Sequence, residues 1–277
     1  EFLNARQRLA LERAKFCEVY LWPRQQIERA AGSRTGAGEG GLHIGLHVLL
    51  QNAVLGSAAF DFGNNGMGGH ADGGRAAELG CEVVLASFRA ESHPLLDPLG
   101  FLARTLGLAH EAVVGAGLEL PLQYRPRATC ALCLVQQGSA YWIHLGDARA
   151  YQLREGRVVV RTRDHTRVEQ LLAEGVITEE QVLSHPLRNF VDSCVGGDPD
   201  QPEFFLSGRR PLQEGDVLAL CSDGVWSGVK DGDLAQALTA HASGIVDAAK
   251  GVVAKAVRAS APYSDNATLA ALRWLGN

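Results

Sequence analysis

No stretch of this 277-residue chain stays apolar long enough to cross a bilayer; the longest candidate, His47 to Phe60, is broken by Gln51 and Asn52. Positive charge is not in excess either. With 26 Lys and Arg against 31 Asp and Glu, a net charge of −5 offers nothing to nucleic acid or to an acidic membrane surface. A cysteine framework is also missing. Cys17, Cys81, Cys130, Cys133, Cys194 and Cys221 are scattered, and in a chain this long they read as buried thiols of a reducing cytosol. Cys130 and Cys133 form a C-x-x-C, but Ala128–Gln136 reads as a strand, where residues three apart point to opposite faces. That argues against a metal or redox pair. There is no internal repeat, and the charged pattern of the first residues is not that of a signal peptide. A cytoplasmic monomer is the expectation.

What is present is ordinary for a globular protein: 46% apolar and 21% charged residues, in a length suited to one large domain or two small ones. Asn4 to Ala31 has helical patterning interrupted at Pro23, and Ala31 to Gly41 is a Gly-rich linker. Residues 1–41 are therefore expected to be a helical extension and linker, ahead of a domain spanning 42–277. Leu42 to Phe62 holds one or two short strands. Ala76–Ala90 reads as a helix, and Asp97-Pro98 starts another, with an N-cap followed by Pro at the first helical position. Ala128–Gln136, Ala140–Leu145, Ala150–Leu153 and Val158–Arg161 read as an antiparallel meander. Short helices are expected at Val168–Leu172 and Thr178–His185, and a strand at Val217–Cys221. Helices at Asp231–Leu238 and Ile245–Val257 and a strand at Ala267–Leu272 complete the order. Helices, then strands, then helices with a closing strand indicate α+β layering.

Four stretches carry the chemistry. Asn64-Asn65-Gly66-Met67-Gly68-Gly69-His70 is a Gly-rich loop whose backbone can approach a metal or phosphate. Asp147, Asp223 and Asp265, in Gly146-Asp147-Ala148-Arg149, Ser222-Asp223-Gly224 and Ser264-Asp265-Asn266, each sit where an apolar β run meets a turn. Singly, each is an ordinary turn aspartate. Converging on one side of a sheet, they form an oxygen-only donor set suited to hard ions such as Mg²⁺ or Mn²⁺. Arg163-Asp164-His165 is better suited to fixing nearby loops than to touching phosphate. His144 reads as a structural strand residue, and Trp226 as a core or rim aromatic.

From Asn65 onward the chain resembles the metal-dependent protein phosphatase family of type 2C, in its compact bacterial form. The resemblance rests on five landmarks in family order: Gly66-Met67-Gly68-Gly69-His70, Gly146–Tyr151, Thr162-Arg163-Asp164-His165-Thr166, Ser222-Asp223-Gly224 and Asp265-Asn266. It implies two antiparallel sheets sandwiched between helix pairs, with two or three Mn²⁺ or Mg²⁺ ions at one edge. It also implies hydrolysis of phosphoserine and phosphothreonine in proteins by metal-activated water. Asp223 and Asp265 would hold the first metal, the Gly66 carbonyl the second, and Asp147 with Asp223 a third. Asn266 would orient Asp265. A flap over about 165–190, ending at His185-Pro186-Leu187-Arg188-Asn189, would shape access for substrates of a bacterial-type Ser/Thr kinase.

The chain departs from the family at Asn65, where a metal-bridging Asp is usual; an amide supplies one ligating oxygen and no charge. The family's opening Arg, Asn and acidic pair are matched only by Leu50-Gln51-Asn52-Ala53-Val54, and Ala148 replaces a Ser. Asn65 is nonetheless placed with Asp223 and Asp265 in the catalytic set. The alternative is a catalytically impaired relative that serves as a phosphoprotein-binding or regulatory module.

Overall fold

The computed structural model describes residues 17–21, 54–57, 73–182, 184–188, 190–240, 244–261 and 267–276. Two sheets dominate. The first runs β1 (Cys17–Leu21), β12 (Leu269–Trp274), β11 (Val217–Cys221), β6 (Arg149–Arg154) and β7 (Arg157–Arg161) in spatial order. The second runs β10 (Arg210–Pro211), β5 (Ser139–Leu145), β4 (Cys130–Gln136) and β2 (Val54–Ser57), with β9 (Phe205–Leu206) also on β5. A ribbon of β3 (Arg127–Ala128) and β8 (Val195–Gly196) stands apart. Every pairing in these sheets is antiparallel.

Alternation along the strands builds three apolar layers. Ala131, Cys133 and Val135 of β4 meet Leu218 and Leu220 of β11 and Ala270 and Leu272 of β12 between the sheets. The opposite faces are covered by helices, which is why β4 and β11 are buried along their whole length and read as continuous apolar runs. Cys130, Leu132 and Leu134 pack beneath α1 (Gly73–Ala90) and α2 (Pro98–Ala116). Val217, Ala219 and Cys221 pack under α5 (Asp223–Trp226), α6 (Asp231–Thr239) and α7 (Ile245–Ala259). The result is the expected α-β-β-α sandwich. Cys130 and Cys133 fall in different layers, so the C-x-x-C is no pair.

The helices form where their patterns place them. Asp97 caps α2, accepting a hydrogen bond from the Gly100 N–H at 2.9 Å, with Pro98 in the first turn. On α7, Ile245, Ala249, Val252, Val253 and Ala256 form the buried stripe. The segment between β7 and β8 contains α3 (Arg167–Ala173), capped by Thr166, and α4, a single turn over Glu179–Val182 and shorter than the Thr178–His185 predicted.

Two expectations are corrected. Cys17–Leu21 lies inside the predicted N-terminal helix but is a strand, paired with β12 from Cys17↔Trp274 to Leu21↔Ala270. The ladder that β12 offers outweighs a local helical pattern. The rest of residues 1–16 and 22–41 lies outside the described residues. The expected four-strand meander is instead two hairpins in different sheets. β4–β5 turns through Gln137 (φ 49°) and Gly138 (φ 65°), and β6–β7 through Glu155 (φ 49°) and Gly156 (φ 76°), both with the double positive φ of a type I′ turn. Between them, Gly146-Asp147-Ala148 carries the chain from one sheet to the other. Gly146 stands at φ +84°, and a Cβ there would lie 2.3 Å from Thr129 Cγ2, so the crossing needs glycine.

Candidate metal centre

Strand register brings two of the predicted acids together. Arg149 on β6 is paired with Cys221 on β11. Asp147 precedes Arg149 by two residues and Asp223 follows Cys221 by two, so both leave adjacent antiparallel strands at the same end of the sandwich. Leu269 of β12 also pairs with Cys221, and Thr268 is tied to Ser222 twice: the Ser222 N–H donates to the Thr268 carbonyl and the Thr268 N–H to Ser222 Oγ. Asp265, Asn266, Asn65 and Gly66 lie outside the described residues. Among the described residues, no three acids, histidines or cysteines form a cluster able to hold a metal.

Asp147 is buried, and its Oδ1 has no hydrogen-bond donor among the described residues. Burial, then the charges of Asp223 and Asp164, hold its carboxyl well above the usual carboxylate range. A buried carboxylate oxygen with no donor among the described residues, beside a second carboxylate whose charge it feels, fits a hard cation.

The turn that bears Asp147 is gripped by His165, in the loop after β7. The His165 N–H donates to the Gly146 carbonyl at 2.8 Å, and the Gly146 N–H donates to His165 Nδ1 at 3.1 Å. His165 stacks on His144, with ring centroids 4.8 Å apart and planes 10° from parallel. His144 Nε2 lies 2.8 Å from the Arg163 carbonyl and must therefore carry the proton. His144 is thus structural, as expected.

Burial lowers both ring pKa values, that of His144 to about 4. An unfolded His144 takes a proton near pH ~6.5 that the folded one refuses until about 4. Its contribution is therefore intact above pH ~6.5 and declines as pH falls. The raised pKa of Asp147 acts in the opposite sense in metal-free protein, so the useful quantity is a difference between variants. The stability advantage of the parent over His144→Gln is expected to shrink by up to ~1.4 kcal/mol per pH unit below pH ~6.5, read from urea unfolding at pH 7 and pH 5.

Beneath the turn lies a charged network that the sequence did not reveal. Arg149 is buried and grips Asp164 bidentately, Nε to Oδ1 at 2.9 Å and Nη2 to Oδ2 at 2.7 Å. Burial disfavours the Arg149 charge, but Asp164 more than offsets this and raises its pKa. The guanidinium carbon stands 3.8 Å from the centre of the Trp226 ring. Asp231, at the start of α6, accepts from Tyr151 Oη at 3.0 Å and lies 3.5 Å from Arg161 Nε. The Arg163-Asp164-His165 stretch therefore ties the loop after β7 to the sheet, as its chemistry suggested.

Fold and site together define a two-sheet sandwich protein with an acid-lined edge suited to hard cations. No protein-family model matches the chain. A Mycobacterium tuberculosis serine/threonine protein phosphatase, PstP, is 31% identical over 208 residues, which cover 74% of this chain but only 38% of that protein. A Streptococcus pyogenes protein named for the 2C type of protein phosphatase is 31% identical over 185 residues, 65% of this chain and 72% of its own length. The chain belongs to the type 2C protein phosphatase family. Among solved structures, the S. agalactiae serine/threonine phosphatase superposes with a TM-score of 0.74 at 22% identity, over 94% of this chain and 100% of that one. The PstP catalytic domain in complex with two manganese ions superposes with a TM-score of 0.66 at 22% identity, over 94% and 99%. These likenesses establish the fold.

Proposed function

We propose that this chain is a metal-dependent protein serine/threonine phosphatase. The observation that carries the proposal is the Asp147–Asp223 pair, two carboxylates at one sandwich edge with a buried Asp147 oxygen that lacks a donor among the described residues. Asp223 and Asp265 would hold one Mn²⁺ or Mg²⁺, the Gly66 carbonyl with Asn65 a second, and Asp147 with Asp223 a third. Asn266 would orient Asp265. When bound, such ions lower the pKa of water and offset the charge of a phosphoryl group. The chain's own part is to hold those oxygens at fixed spacing and, through the flap at about 165–190, to frame a phosphoserine or phosphothreonine segment. Substrates would be phosphoproteins made by a bacterial-type Ser/Thr kinase, and the protein a cytoplasmic monomer.

A second reading is favoured by one residue. Asn65 removes a charge from the proposed set, which suits a binding or regulatory module without turnover. The test is hydrolysis of an aryl phosphate in Mn²⁺ by the parent and by Asn65→Asp. The parent is expected to be active and to lose activity on chelation, with Asn65→Asp about tenfold or more faster at limiting Mn²⁺. Activity in Asn65→Asp alone would mean that one amide silences the site. Silence in both would leave the binding module.

A further inference from the structure

Trp226 does more than fill space at the rim. It ends the single helical turn that Asp223 begins, so it is rigidly tied to one carboxylate. Its indole Nε1 donates to the main-chain carbonyl of Asp147 at 3.0 Å, which ties it to the other. The ring cannot swing away freely, because the Arg149 guanidinium lies against its face at 3.8 Å. Arg149 is itself locked by Asp164, the residue before His165, and His165 holds Gly146. Asp147 is thus clamped on both flanks, by His165 through Gly146 and by Trp226 through its own carbonyl. These links run from the flap base to both acids without passing through either carboxylate.

We propose that Trp226 is a positioning residue that sets the spacing of the Asp147 and Asp223 carboxylates, and that Arg149 holds it in register with the base of the flap. The proposal rests on the metal-site reading above. The His165 bonds hold Gly146, whereas the indole N–H holds the carbonyl of Asp147 itself. Losing the indole donor would let the Asp147 carbonyl rotate and its carboxylate drift, with the ring stack left in place.

The test is direct Mn²⁺ binding, by titration calorimetry, to the full chain, Trp226→Phe and Trp274→Phe. Phenylalanine keeps a ring beneath Arg149 but has no N–H. Trp274 lies at the far end of β12, and its loss controls for removal of a tryptophan in general. Trp226→Phe is expected to bind Mn²⁺ about three- to tenfold more weakly, the factor for one hydrogen bond, and Trp274→Phe as tightly as the parent. In aryl phosphate hydrolysis, half-saturating Mn²⁺ should rise by the same factor for Trp226→Phe, with kcat at saturating Mn²⁺ unchanged. Parental Mn²⁺ affinity in Trp226→Phe would overturn the proposal and leave the metal site standing. A parent that binds no Mn²⁺ would overturn both. Should Trp226→Phe fail to fold, Arg149→Lys serves, keeping the charge near Asp164 without a flat guanidinium on the ring; unchanged Mn²⁺ affinity there also overturns the proposal.

Discussion

Asp223→Asn is expected to lower Mn²⁺-dependent hydrolysis of an aryl phosphate at least about a hundredfold while the chain stays folded. Removing one charged partner from a partly buried ionic cluster costs roughly 3–5 kcal/mol, and each ~1.4 kcal/mol is tenfold. The amide is nearly isosteric, so the turn of α5 can still start after Ser222, whose two bonds to Thr268 do not involve Asp223. Folding should not suffer. The Asp223 charge is one cause of the raised pKa of Asp147, and removing it relieves repulsion in the metal-free protein. The expected signature is therefore opposite in two measurements: activity and Mn²⁺ affinity fall, while the metal-free urea midpoint holds or rises. A variant with the parent's rate at every Mn²⁺ concentration would remove Asp223 from the metal site.

Arg149→Met should have the complementary effect, on stability. Both partners of the Arg149–Asp164 pair are almost wholly shielded from solvent, their side chains 8% and 5% exposed. Methionine matches the aliphatic length of arginine but leaves the Asp164 carboxylate buried without its counter-charge, a loss of roughly 3–5 kcal/mol. Urea unfolding of the metal-free protein measures it. Combining Arg149→Met with Asp164→Asn should recover much of the loss, because the cost is the stranded charge rather than the missing pair. Arg154, 28% exposed on the same strand, makes a comparable fork to Asp216, and its replacement should cost less because Gln152 Nε2 and the Gln213 N–H still donate to the buried Asp216 carboxylate. Equal losses at the two arginines would mean that the remaining donors to Asp216 do not offset its stranded charge.

Much of the fold was legible because its elements carry strong local signals. Asp97-Pro98 starts α2, the stripe on α7 faces the sheet, and Gln137-Gly138 and Glu155-Gly156 close hairpins. Such features depend on capping, periodicity and turn chemistry, which act over a few residues. The meander expectation failed because two adjacent hairpins look the same in sequence whether they share a sheet or not. β1 was misread as helix because its partner, β12, lies at the other end of the chain, and only the finished ladder rewards an extended conformation there.

The amino-acid sequence by itself determined the family and the order of layers. Each rests on residue type and spacing, as in Gly146-Asp147-Ala148-Arg149 and Ser222-Asp223-Gly224. Tertiary structure alone decided that Asp147 and Asp223 share one edge, because that follows from the pairing of Arg149 with Cys221 across β6 and β11. It alone joined Arg149, Asp164 and Trp226 into one support, and it turned a rim aromatic into a link between the two acids. Those contacts span up to 79 residues of chain, and their strength comes from burial, which no local pattern encodes.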